Sequence, residues 1–196
     1  IVYPIGIHMR SALIGLSAAV ASLVFSSIAP AEAARPNVIG WVEKGKIMPW
    51  GATAKFKMDT GALTSSMHAE HIEAFEKEGE DWVRFDIELE DAETGKQIEQ
   101  RFERRVIRKV KLSGAGGSDH RVTVLMNVCF GDAIFEEEFS LDDRDDLNYP
   151  VLIGRRTIEH FGVIDVTRTF TKDPTCDDDS KVYDRETLQA ISEVGL

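Results

Sequence analysis

The sequence predicts an all-β domain, a small barrel or sandwich with one or two short helices, on three observations. Apolar and polar residues alternate at period two in several short segments, as half-buried antiparallel strands require. Turn-forming clusters separate those segments. Helical patterns are few and brief.

In chain order, Val38 to Val42 is a short apolar run, and Ala54, Phe56 and Met58 alternate with Lys55 and Lys57. Ala69 to Glu78 reads as a short helix stopped by Gly79. Val83, Phe85, Ile87 and Leu89 then alternate strictly with Arg84, Asp86 and Glu88, and Asp91 to Gly95 supplies a turn. Phe102, Val106, Val110 and Leu112 share one parity, as do Val122, Val124, Met126, Val128 and Phe130. Turns fall between and after them, at Gly114 to Ser118 and at Gly131-Asp132. Phe135, Phe139 and Leu141 close the strand series. Arg155 to Phe161 is a second short helix, stopped by Gly162, and Thr187 to Val194 a third. Asp173 to Ser180 is polar and acidic and reads as a mobile tail.

A chain of 196 residues with 43% hydrophobic content has room for one domain with a substantial core. A net charge of -11 repels phosphate backbones and anionic lipid, which argues against nucleic acid and membrane surfaces as partners. Arg101, Arg104, Arg105, Arg108, Lys109 and Lys111 run against that balance and read as the solvated face of a strand hairpin. Cys129 falls in an apolar strand pattern and Cys176 in the acidic tail; their spacing does not establish a bridge.

Met9 and Arg10 precede an apolar run from Ala12 to Ile28, followed by Ala29-Pro30-Ala31-Glu32-Ala33-Ala34. A positive start, an apolar middle and small residues before a cut make residues 9–34 a secretory signal peptide, with cleavage after Ala31, Ala33 or Ala34. The run is near the lower limit for spanning a bilayer, so a cleaved signal is favoured over an anchor, with no stable membrane insertion after processing. Residues 1–8 then read as a start assigned too early, 35–172 as the domain, and 173–196 as an acidic tail. The expected location is the periplasm or the medium.

The chemistry is carried by Phe56-Lys57-Met58-Asp59-Thr60-Gly61-Ala62, in which an apolar strand delivers an Asp, a hydroxyl residue and a Gly. Glycine lets backbone approach without a Cβ. A second segment, Pro150-Val151-Leu152-Ile153-Gly154-Arg155-Arg156-Thr157-Ile158, places two apolar residues and Gly-Arg before a short helix. Together, in this order, they resemble the signatures of retropepsin-type aspartic peptidases over roughly residues 38–166. Lys57 to Ser66, Ser140-Leu141-Asp142-Asp143-Arg144 and Tyr149 to Arg155 are also similar to a bacterial retropepsin-like family that has carried the label of an ATP-dependent zinc protease. The residues do not support that label: neither a Gly-Lys-Ser or Gly-Lys-Thr phosphate loop nor a His-Glu-x-x-His helix occurs.

The resemblance implies an acid-protease barrel and an exported aspartic endopeptidase acting on extended or unfolded peptide segments. Asp59 would be the catalytic carboxylate, Thr60 would lock its turn, and Gly61 and Ala62 would line the peptide groove. Ile153, Gly154 and Arg155 would support the site. The chain has one Asp-Thr-Gly, so a two-fold homodimer would supply the second Asp59. No metal or organic cofactor is implied. Strands Val83 to Glu90 and Ile98 to Leu112 would form the flap hairpin, with Gly95 the glycine nearest its tip. Retroviral enzymes carry an acidic residue after the Asp-Thr-Gly-Ala that pairs with the Gly-Arg arginine. Leu63 stands there, so Arg155 would need another carboxylate, with Asp142, Asp143 and Asp165 as candidates. Two other readings remain: a noncatalytic peptide-binding module on the same fold, and a zinc hydrolase using His68 and His71 on one helix face.

Overall fold

A computed structural model describes residues 37–114, 117–144 and 147–192. In chain order its strands are β1 (Val38–Met48), β2 (Ala52–Met58), β3 (Ser65–His68), β4 (Glu70–Lys77), β5 (Glu80–Glu90) and β6 (Gln97–Arg105). There follow β7 (Arg108–Gly114), β8 (Gly117–Phe130), β9 (Ala133–Asp142), β10 (Val151–Ile153), β11 (Val163–Thr169) and β12 (Lys181–Tyr183). Two short helices, α1 (Arg155–Phe161) and α2 (Arg185–Ile191), complete the described elements.

Strands β1, β2, β10, β3, β9 and β8 are hydrogen-bonded in that order, and β8 returns to β1 through Lys46–Cys129 and Ile47–Val128. Six strands thus close into a barrel, which removes their free edges. The alternation read from the sequence sets which side faces in. Ala54, Phe56 and Met58 are buried in β2 and Val124, Met126 and Val128 in β8. At one end Phe161 stacks on Phe130 (centroids 4.2 Å apart) and meets Phe135 edge to face (5.0 Å). β11 lies beside β1 and β7 beside β8, outside the ring. The fold class, all-β with two short helices, agrees with the sequence, and α1 with its Gly162 stop falls on the predicted residues.

Residues 69–78 depart from prediction. They form β4, not a helix, and pair with β5 from Glu70–Asp86 to Lys77–Glu80. Gly79, read as a helix stop, is a hairpin turn: Glu78 and Gly79 both have positive φ (57° and 77°), as a two-residue hairpin turn demands. The strand wins because Phe75 packs beside Trp82 and β5 offers a ladder from Glu73 to Lys77, whereas a single exposed helix would find no such partner.

Of the strands expected in a flap hairpin, Val83 to Glu90 does pair antiparallel with the run from Ile98, but only as far as Arg105. The run from Ile98 to Leu112 is not one strand. Val106 donates its N–H to Asp81 while Ile107 donates to Thr123, so the chain leaves the β4-β5-β6 sheet for the barrel between adjacent residues. The turn at 91–96 is docked: Asp91 accepts N–H bonds from Thr53, Glu93 and Thr94, and Ala92 donates to Thr53. The free tip of the three-stranded sheet is the Glu78-Gly79 turn, with residues 76–81 all exposed. The basic run, expected as one solvated hairpin face, divides between sheets: Arg101, Arg104 and Arg105 lie on β6 and Arg108, Lys109 and Lys111 on β7, with Arg104 and Arg108 half-buried. Arg101–Asp86, Arg105–Glu80 and Lys109–Asp81 pair across strands.

The segment after 172 is fastened rather than loose. Buried Glu43 accepts the N–H groups of Thr171 and Lys172 at its start. A disulfide joins Cys129 to Cys176, β12 adds to the edge of β9, and Leu188 of α2 is buried. The signal-like residues 9–34 lie outside the described residues.

Candidate active site

Asp59 follows the last residue of β2, and its N–H donates to Ile153 O at 2.8 Å, which binds the turn to β10. Its Oδ1 accepts the N–H groups of Gly61 (2.9 Å) and Ala62 (3.3 Å), so the carboxylate is held by its own turn. A Cβ on Gly61 would stand 3.1 Å from that oxygen, which explains the glycine. Asp59 is half-buried, and Thr60 and Gly61 are exposed beside it.

The Gly-Arg segment grips the same turn from behind. Arg155 and Arg156 donate their N–H groups to Ala62 O (3.0 Å) and Leu63 O (3.3 Å). Gly154 packs on the backbone of Leu63 and Thr64, with no room for a Cβ. Among the described residues Arg155 reaches no carboxylate; its Nη1 donates to Thr60 O at 2.7 Å. A backbone carbonyl thus takes the place of the missing acidic residue, and Leu63 is accommodated. Asp142 instead pairs with Arg121 and Asp165 with Arg168. The structure therefore brings Asp59, Thr60, Gly61, Ala62, Ile153, Gly154 and Arg155 into one constellation.

His68 and His71 do not face one another on a helix. His68 is buried in β3, its Nδ1 accepting the Arg144 N–H and its Nε2 near Glu70. His71 is exposed and lies 3.2 Å from Asp86. Among the described residues no group of three or more His, Cys, Asp or Glu is placed to hold a metal.

One feature of the site escaped the sequence reading. The Gly154 N–H donates to Ser65 Oγ (3.1 Å), which meets Thr157 Oγ1 (2.8 Å), which donates to Glu137 Oε2 (3.1 Å). Glu137 Oε1 completes the chain with His160 Nδ1 at 2.6 Å. The available signal was Glu137 itself, an acid at the inward parity between Phe135 and Phe139. This chain anchors the strand behind Asp59 to β9 and α1.

Burial pushes the Glu137 carboxyl above its ordinary range, although bonds from His160 and Thr157 oppose it. Burial works against the His160 proton, yet the Glu137 bond and charge prevail and raise it. Both groups hold protons more tightly folded than unfolded, so their stabilisation is present at low pH and is lost as pH rises. For His160 the loss begins near its unfolded value of about 6.5. His160→Gln is expected to cost about 2 kcal/mol at mildly acidic pH. It should also flatten the fall of the thermal midpoint above neutrality; a variant with the parent's pH slope would refute this account.

A family profile described as retropepsin-like aspartic endopeptidase RimB matches residues 38–175. A crystal structure of a Legionella pneumophila protein of unknown function is similar, with a TM-score of 0.59 and 34% identity, over 69% of this chain and 98% of that one. Proteins named probable alpha-L-glutamate ligase also match, at 32% identity in Shewanella pealeana and 33% in Shewanella halifaxensis. Both matches cover 59% of this chain, which spans about a quarter (25%) of those relatives' length.

Proposed function

We propose, from the premise that this chain belongs to the RimB-like family of retropepsin-like aspartic endopeptidases, that it hydrolyses peptide bonds with Asp59. The observation that carries the reading is the Asp59-Thr60-Gly61 turn, clamped from behind by Ile153, Gly154 and Arg155. Each chain offers one such carboxylate, and the reaction needs two that share a proton. A homodimer supplies the second. The exposure of Thr60 and Gly61 leaves the Asp59 turn open to a second copy, and the exposed apolar residues Val163, Val166 and Phe170 on and after β11 offer further surface for one.

In the paired site the ionised carboxylate takes a proton from water as its oxygen adds to the scissile carbonyl, while the protonated one donates to the carbonyl oxygen. The tetrahedral intermediate then loses the amine, which leaves with a proton returned by a carboxyl. Gly61 and Ala62 line the groove, and the Glu78-Gly79 hairpin is the candidate flap over an extended peptide. Lys55 and Lys57 alternate toward Asp59 on one face of β2. That positive face, and the glutamate in the relatives' name, make glutamate-rich peptides the first substrates to include. The disulfide supports an exported protein in an oxidising compartment.

The test is cleavage of a mixed peptide library, glutamate-rich members included, by the chain from Arg35. Specific activity is expected to fall on dilution, and an excess of Asp59→Asn protein to suppress the parent by forming hybrids with one functional carboxylate. Activity per chain that stays constant into the monomeric range would sink the shared dyad. Dimers without cleavage would favour a noncatalytic peptide-binding module, and activity abolished by a chelator a metal hydrolase.

A further inference from the structure

A cavity of about 480 Å³ lies between β9, α1 and α2, lined among others by Thr64, Arg108, Arg156, Arg185 and Leu188. Its volume suits a small organic molecule. The catalytic reading makes no use of it.

The cations around it are not equivalent. Arg108 and Arg185 both bind Glu138, at 2.8 and 2.6 Å. Glu136 accepts the Arg185 N–H, and Glu137 is engaged by Thr157 and His160. The Arg156 guanidinium, by contrast, makes no hydrogen bond or ion pair among the described residues, and its Nε is buried without a partner. Arg185 Nε is likewise buried and unpartnered. A buried donor left unpaired is costly, and a guanidinium matches a carboxylate through two parallel bonds.

The ligand's charge and body follow from the walls. Of the three lining arginines, Arg108 and Arg185 share Glu138 and Arg156 is left without a carboxylate, so the walls offer one cation, which suits a monoanion. The cavity is larger than a carboxylate needs, and buried Leu188 lines the remainder.

We propose that this cavity is a binding site for a small amphipathic monocarboxylate, with the carboxylate on Arg156 and the apolar body against Leu188. Arg156 also donates its N–H to Leu63 O, so the occupant sits directly behind the Asp59 turn.

Octanoate is the probe, titrated calorimetrically against the chain from Arg35. It is expected to bind below about 1 mM, and octanol and inorganic phosphate at least about tenfold more weakly. Arg156→Met should weaken octanoate about tenfold or more without lowering the thermal midpoint, since Arg156 has no partner to lose. Arg156→Lys should bind with intermediate affinity. Asp59→Asn should bind octanoate as the parent does, which separates this site from the catalytic one whether or not peptides are cleaved. Equal binding by octanol or phosphate, unchanged binding by Arg156→Met, or no binding at 10-fold above about 1 mM would each overturn the assignment.

Discussion

Asp59→Asn is expected to abolish peptide cleavage, by about 10³-fold or more, while leaving the fold and the dimer intact. In the proposed mechanism the carboxylate has two jobs, so the two consequences separate. Structurally, Oδ1 accepts the N–H groups of Gly61 and Ala62. An asparagine Oδ1 accepts the same bonds, so the thermal midpoint should correspond to a change of less than about 1 kcal/mol. Chemically, an amide can neither take a proton from water nor share one with the second carboxyl the mechanism requires. Single-turnover rates on the best library peptide, measured beside thermal melts of both proteins, distinguish the roles. A variant that keeps a tenth or more of parental activity would remove Asp59 from the chemistry. A variant that is inactive and also unfolds would leave Asp59→Glu, which keeps the charge and displaces it, to decide. Folded and inactive Asp59→Glu would return the loss to chemistry.

The sequence made the barrel and its Asp-Thr-Gly turn readable for a definite reason. Strands buried on one side write their orientation at period two, and Ala54, Phe56 and Met58, or Val83, Phe85, Ile87 and Leu89, are buried as that pattern says. The Asp-Thr-Gly and Gly-Arg segments are local and touch each other directly. What stayed hidden depends on partners distant in sequence. β4 is exposed over most of its length and writes no alternation, so its strand identity comes from β5 alone. The Glu78-Gly79 hairpin stays hidden with it, because glycine after a polar run reads equally as the end of a helix. Arg155 was assigned a carboxylate because backbone acceptors are invisible in sequence; Thr60 O fills the role. The polar chain from Ser65 to His160 joins three separate elements, and only Glu137, misplaced among aromatics, announced it.

Gly154→Ala is expected to destabilise the fold and disable the site together, which no change on the outer face of the turn should do. The backbone at Gly154 is ordinary, with φ -83° and ψ 172°, so alanine meets no dihedral penalty. The obstacle is contact. A Cβ would lie 2.6 Å from Thr64 C, 2.7 Å from Thr64 O and 2.9 Å from Leu63 C, all backbone atoms that cannot rotate aside. Relief requires the 62–64 segment and the β10 end to separate, which stretches the Arg155–Ala62 and Arg156–Leu63 bonds and the Gly154–Ser65 bond at once. Overpacking of this kind costs about 3 kcal/mol. The displacement passes straight into Asp59, four residues before Leu63 and bonded to Ile153, and a shift approaching about 1 Å costs about 10²-fold in rate. Gly51→Ala is the matched control: its φ of 83° brings strain, but no atom lies within 4 Å of the new Cβ. It should lose about 1 kcal/mol and keep full activity per folded dimer. Urea melts report the first effect, and kcat at saturating peptide, corrected for the folded fraction, reports the second. If Gly154→Ala loses stability but its folded fraction turns over at the parental rate, the clamp behind the turn is structural support only, and the alignment of the two carboxylates must be set by the dimer contact.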